Sequence, residues 1–304
     1  MIVQNMLNMQ GMMFFFVLVG FLVRRRGIVG MEGRKNMVDL CLYVLLPFNI
    51  FHAFLVQPKD NVWRLVLITI LLSALYNVIS VGAAFLLYKK ADETKRKPLR
   101  YGTIVSNGGF LGNPVIEGIY GTNGLLYASV FMLPVRIVMW SVGVSCFISG
   151  QKKNVVKKVV THPCIVAIFL GFIAMLLPVQ WPIFFTTAVG GLSSANTPMS
   201  MMLIGMMLAE MDPRGLIDQT MVFYTSVRLV ILPMILFGVT ALLPIPSILR
   251  GITVIMAGMP APVTTALLSS KYGGNESYAT GMIFLTTLGS LVTLPLWCLI
   301  LSIG

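Results

Sequence analysis

From Val159 to Ala209 the chain runs for 51 residues without one Asp, Glu, Lys or Arg. A helix needs about 20 mainly apolar residues to cross the roughly 30 Å hydrocarbon core of a bilayer. The stretch therefore holds two crossings, with the Pro178, Gln180, Trp181, Pro182 cluster as their turn. Ten such runs occur along the chain, near residues 6–23, 37–56, 64–88, 102–121, 124–149, 163–181, 183–210, 219–243, 247–272 and 277–303. They are continuously apolar rather than alternating, which selects helices over a membrane β-barrel. Composition excludes the soluble alternatives. Only 11% of the 304 residues are charged and 57% are hydrophobic, against about 25% charged in a soluble domain. The expected fold is an all-α polytopic membrane protein with ten transmembrane helices, one integral membrane domain over residues 1–304.

The net charge of +12 would suggest a polyanion such as nucleic acid on a soluble protein. Here its distribution gives topology instead. Arg24, Arg25, Arg26, Arg34 and Lys35 follow the first run, and Lys89, Lys90, Lys95, Arg96, Lys97 and Arg100 follow the third. Lys152, Lys153, Lys157 and Lys158 follow the fifth, and Arg214 the seventh. These loops fall on one side, which the positive-inside rule makes cytoplasmic. The other side has only Lys59, Arg64 and Arg250, at run edges. A multi-pass protein of the cytoplasmic (inner) membrane is expected, with both termini outside, no cleavable leader and membrane lipid as its surroundings. Nucleic acid is not an expected partner. Cys41, Cys146, Cys164 and Cys298 sit singly in apolar runs, and His52 and His162 are the only histidines. No metal site or cofactor is expected.

The chain carries an internal repeat. Asn113, Pro114, Val115 followed by Tyr120, Gly121, Thr122, Asn123 matches Ala261, Pro262, Val263 followed by Tyr272, Gly273, Gly274, Asn275. The Tyr-Gly pairs are 152 residues apart, the two prolines 148, and Pro47 and Pro198 151. A duplicated unit of five spans places the halves, about 1–150 and 151–304, in opposite orientations, as in secondary transporters. The matched spans, the fourth and ninth, are also the least helix-like. One reads Ser106 through Pro114 with three glycines, the other Ala257 through Pro262 with two prolines. Broken helix at membrane depth is tolerated only where protein or a water-filled cavity satisfies the freed backbone groups. Paired breaks in corresponding repeats point to a binding site.

Half-helix N-termini at such breaks suit an anion. Asn107 and Asn113 add amide donors that bind a carboxylate without locking it in a full charge pair. Asn49 and Asn196 lie two residues from Pro47 and before Pro198, one in each repeat, with scaffold hydrogen bonding as the competing role. Charge inside the spans is confined to Glu117, Arg136 and Arg228, with Lys271 near an inner end. Each charge costs about 2.5–3.5 kcal/mol on insertion scales. At 1.5 Å per residue, Glu117 sits about 6 Å and Arg136 about 20 Å from the outer turn. Arg136 is a candidate substrate contact, and Glu117 a candidate proton carrier. Sodium coupling through unwound carbonyls is the alternative to proton coupling.

At these residues the sequence resembles a known family. GFLGNPVIEGIYG resembles the fourth span of the auxin efflux carriers, a family that includes bacterial malate and malonate permeases. MPAPVTTALLSSKYG through TTLGSLVTLPL is similar to its ninth and tenth spans, and GFLVRRRGIVG with LYVLLPFNIF to its first two. The resemblance implies two inverted five-helix repeats, related to bile-acid and sodium/proton antiporter folds. Broken helices 4 and 9 would cross beside the substrate. Spans 1, 2, 6 and 7 would be a scaffold for an elevator-like cycle, in a homodimer. It assigns the crossover to Asn107, Gly112, Asn113 and Pro114 with Pro260 and Pro262. Unlike the plant carriers, the chain has only a short lysine-rich central loop and carries Glu117 where some of them place a basic residue. Both differences speak against an auxin substrate and favour a compact bacterial-type permease; the expected cargo is a small organic anion, a mono- or dicarboxylate such as malate or malonate, with efflux of an auxin-like aromatic carboxylate as an alternative. The competing readings are a channel or a transporter-fold sensor. An intramembrane enzyme is not expected, since the spans hold no acid/base constellation.

Overall fold

A computed structural model describes residues 2–55, 63–147, 161, 163–176, 181–210 and 217–303. The lysines at 152, 153, 157 and 158, Arg214, Lys59, and Pro178 and Gln180 of the expected turn lie outside the described residues. Those described are helical or connecting segments, with no strand among them. In chain order the helices are α1 (Ile2–Arg25), α2 (Met31–Leu40), α3 (Leu46–Ala53), α4 (Trp63–Leu87), α5 (Glu93–Ile104), α6 (Asn113–Val138) and α7 (Pro163–Leu176). Then come α8 (Ile183–Glu210), α9 (Gln219–Ser226), α10 (Leu232–Ala241), α11 (Ser247–Ala257), α12 (Thr264–Tyr272) and α13 (Glu276–Ile303). Among the described residues four continuous helices are long and apolar enough to cross a membrane: Trp63–Leu87, Asn123–Gly143, Gln219–Ala241 and Glu276–Leu301.

The helix α4 shows why these elements belong in lipid. Its outward face carries Leu67, Leu71, Val78 and Leu86, all more than half exposed. Its inward face is polar, with Thr69, Ser73, Asn77 and Ser80 at three- and four-residue spacing, all buried. That is the reverse of a soluble amphipathic helix. The buried hydroxyls bond to backbone: Ser73 Oγ donates to the Phe131 carbonyl at 2.6 Å and Thr69 Oγ1 to Leu65 at 2.7 Å. Hydrogen bonding and close packing hold such helices together where lipid supplies no hydrophobic drive.

Proline shapes the interior. Three π-helical turns, Cys41–Leu45, Gly108–Gly112 and Val227–Ile231, each run into a helix with proline at its second residue: Pro47, Pro114 and Pro233. A proline ring collides with the carbonyl four residues back and offers it no N–H. Widening the turn to π geometry relieves the collision. The carbonyl that Pro233 leaves without its usual donor, Leu229, accepts instead from Trp297 Nε1 at 2.9 Å. In α5, Pro98 likewise leaves the Thr94 carbonyl, which accepts from the Asn275 amide at 3.3 Å.

Two breaks lie within the fourth and ninth runs. Helix α5 ends because Val105 is extended (φ −110°, ψ 139°), and the chain becomes helical again only at Gly108. Helix α11 ends at Gly258, and α12 begins after the two prolines at 260 and 262. Each re-formed helix then ends its course at a glycine with positive φ, Gly121 (67°) and Gly273 (76°). Gly121 divides α6 into two stretches at the expected junction between the fourth and fifth runs.

Ion pairs gather one end of the bundle. Arg34 bridges Glu210 and Glu276, Arg24 joins Glu210, Lys271 pairs with Asp39, and Lys95 with Asp218. Tyr278 also donates to Asp218, linking the last pair to α13. The loops after the first, third, seventh and ninth runs therefore share one end. Near Asp218, burial pushes the carboxyl pKa up, but hydrogen bonds from Lys95, the Met221 amide and Tyr278 outweigh it and hold the group below the usual carboxylate range.

Candidate substrate site at the crossing of two broken helices

The breaks meet in the buried interior. The Asn107 amide donates to the Pro260 carbonyl at 2.9 Å, joining one break to the other through backbone alone. The Asn107 carbonyl in turn accepts from Leu111 and Gly112, both at 3.1 Å, and so starts the π turn. Gly112 lies so near α11 that an added Cβ would stand 2.6 Å from Met256 Sδ. On the far side, the Ala261 amide donates to Thr286 Oγ1 of α13 at 3.0 Å.

Beside this crossing lies a cavity of about 40 Å³, room for a few waters. Its walls come from four places: Asn49 and Ile50 of α3, Ser106, Asn107 and Gly109 at the first break, Arg136 in the last turn of α6 with Trp140 just beyond it, and Pro262 and Thr264 where the second break leads into α12. Ser106 Oγ and Asn107 Oδ1 are buried and have no hydrogen-bond partner. Arg136 is only 4% exposed. Its Nη1 donates to the Ile50 carbonyl over a long 3.5 Å, and none of the ion pairs among the described residues includes it. The π turn at Gly108 and helix α12 at Thr264 both begin at this cavity. At α12 the Thr265 amide already donates to the Pro262 carbonyl and the Ala266 amide to Val263, so what both helix starts offer the cavity is the positive end of the helix dipole, about half a charge.

The opposite helix ends, the carbonyl ends of α5 and α11, are neutralised separately. Arg228, fully buried, donates Nε to Met259 at 2.9 Å, Nη1 to Thr103 at 2.9 Å, and Nη2 to Ala257 at 2.9 Å and to Tyr76 Oη at 3.0 Å. Tyr76 passes the contact on, donating to the Ile104 carbonyl at 3.2 Å. Negative helix ends are thus cancelled by Arg228, while positive ends and Arg136 face the cavity. The arrangement attracts an anion.

A family model described as membrane transport protein matches residues 11–298. The chain belongs to the membrane transport protein family. The auxin efflux carrier resemblance read from the sequence falls within it. Among the relatives of this membrane transport protein, an uncharacterized transporter of Methanothermobacter thermautotrophicus is 29% identical over 290 residues, covering 94% of this chain and 95% of that protein. An uncharacterized transporter of Methanocaldococcus jannaschii is 25% identical, covering 92% and 94%. The uncharacterized transporter YfdV of Escherichia coli is 21% identical, covering 92% and 93%. The chain is a membrane-integral transport protein.

The sequence-read residues separate on inspection. Asn49, Asn107, Arg136 and Pro262 line the cavity. Pro260 and Gly112 build the crossing behind it, and Pro114 holds the second helical position of α6. Asn113 is half-buried with an unpartnered Oδ1 and does not line the cavity. Asn196 is fully buried in α8, where its Oδ1 accepts from Ser200 at 3.3 Å, also away from the cavity. Asn49 reaches α8 too, donating Nδ2 to Ser193 Oγ at 3.1 Å. Glu117 is exposed and outside the site. Sequence reasoning passed over Ser106, Trp140 and Thr264. Ser106 precedes Asn107 in the first break, and Thr264 lies two residues after Pro262 in the second, so both had a signal in position. Trp140 had none.

Proposed function

We propose that this transport protein is a secondary carrier of a small organic anion, a mono- or dicarboxylate of the malate or malonate class, in the cytoplasmic membrane. In this reading ten spans form two inverted five-span halves, 1–150 and 151–304, with the basic loops and the ion-paired end inside and both termini outside. The positive-φ glycines at 121 and 273, 152 residues apart like the tyrosines before them, support the duplication. The observation that carries the function is Arg136: a buried cation, unpaired with any acid among the described residues, aimed at a cavity where two helix N-termini converge. A carboxylate completes that site and is released again, because hydrogen bonds from Asn107 and the partial charge of the helix ends hold it more weakly than a second fixed charge would. At about 40 Å³ the cavity is too small for such an anion. Loading therefore requires the walls to part, by the crossing moving against the α3 side of the scaffold in an elevator-like step within each copy of a homodimer.

The test is uptake of a panel of labelled mono- and dicarboxylates by proteoliposomes, with and without pH and sodium gradients. Saturable uptake of at least one, lost in Arg136→Gln, is the expected result. Absence of uptake and of binding for every organic anion would sink the assignment.

A further inference from the structure

Carbonyls at half-helix C-termini in broken membrane helices are where monovalent cations bind in carriers built on this plan. Here such a cage exists and is full. The Thr103, Ala257 and Met259 carbonyls and Tyr76 Oη surround one guanidinium, that of Arg228, which takes all four through hydrogen bonds of 2.9–3.0 Å from its three nitrogens. The carbonyls come from both broken segments, so their mutual repulsion would otherwise push the crossing apart. The Tyr76 ring lies against the cation, with its centroid 5.9 Å away. Arg228 itself sits in the π turn Val227–Ile231, where the widened backbone precedes Pro233. It does not line the anion cavity.

We propose that Arg228 is a tethered counter-cation: it occupies the carbonyl cage of the crossing in place of a diffusible sodium or potassium ion, so the crossing is held together without one. Arg228 is thus a positioning residue, acting on the anion only through the geometry of the two breaks. Four charge-assisted hydrogen bonds make the fixed cation permanent, whereas an alkali ion would come and go with each cycle. The inference concerns how the crossing is held, and it stands or falls independently of which anion is carried.

The experiment uses the purified full chain and thermal unfolding, with no substrate present. Wild-type protein should unfold at the same temperature in sodium, potassium or choline chloride of equal ionic strength. Arg228→Ala should unfold about 5–10 °C lower, and millimolar guanidinium chloride should restore at least half of that loss while leaving the wild type unmoved. Arg228→Lys keeps a charge without the fork, and should lie between the wild type and Arg228→Met, in unfolding temperature or, where a variant folds poorly, in the yield of monodisperse protein. A wild-type transition raised by sodium or potassium over choline would overturn the proposal. So would an Arg228→Met protein as stable as the wild type, or an Arg228→Ala protein that neither guanidinium nor an alkali cation stabilises.

Discussion

Arg136 and Arg228 are buried within the expected spans, and their surroundings give them different work. Arg228 has four acceptors within 3.0 Å, whereas Arg136 has one carbonyl at 3.5 Å and a cavity in front of it. Removing a fully engaged charge from the interior destabilises, while removing one that waits for a ligand costs function. Arg136→Gln should therefore lower uptake at least about tenfold, the loss of one charge-assisted contact, with little change in unfolding temperature. Asn107→Ala should weaken uptake while Asn113→Ala changes it much less, because only Asn107 lines the cavity; equal losses would move the site. Both arginines were conspicuous in the sequence, but spacing could not assign their roles. The acceptors of Arg228 lie 125, 152, 29 and 31 residues away.

At the scale of helices, the breaks were legible because proline and glycine act locally. The Asn107 to Pro260 contact joins the two sites that the repeat had already singled out. The π turns were less visible: a proline announces the disturbance, and the neighbouring helix decides which donor takes the stranded carbonyl. Trp297→Phe should leave the Leu229 carbonyl buried without its indole donor and cost about 1–3 kcal/mol, measured as a lower unfolding temperature with unaltered substrate affinity. Close approach also escaped the sequence reading. A Cβ on Gly20 would collide with the Met202 carbonyl of α8, and one on Gly205 with the Val17 carbonyl of α1. Small residues let membrane helices touch backbone to backbone. Gly20→Val and Gly205→Val should each destabilise strongly, where Gly11→Val, facing open space, should not. Near-equal unfolding temperatures for Gly205→Val and Gly11→Val would contradict the packing of α1 on α8.

Across the whole molecule, basic residues of the loops expected on the inner side also close one end. Asp39, Glu210, Asp218 and Glu276 are four of the ten acidic residues in the chain, and each pairs with a basic residue there. Their clustering could be inferred from run counting, though the particular partners could not, since Arg34 and Glu276 are 242 residues apart. Asp218 gives this end a pH signature. Its folded pKa is depressed, so its stabilisation is complete above the unfolded value of about 3.9. That stabilisation is lost as the pH falls through the lower folded value. Asp218→Asn should flatten this acid limb of the stability curve, and an unchanged limb would show that the carboxylate is not engaged.

The central claim is that a cavity at the crossing of two broken helices binds a small carboxylate through Arg136. Its most direct test is equilibrium binding of the mono- and dicarboxylate panel to purified wild-type and Arg136→Gln protein, matched for unfolding temperature. The account predicts saturable binding of at least one carboxylate by the wild type, weakened about tenfold or more in the variant. Equal binding by the two proteins, or none by the wild type, would contradict it.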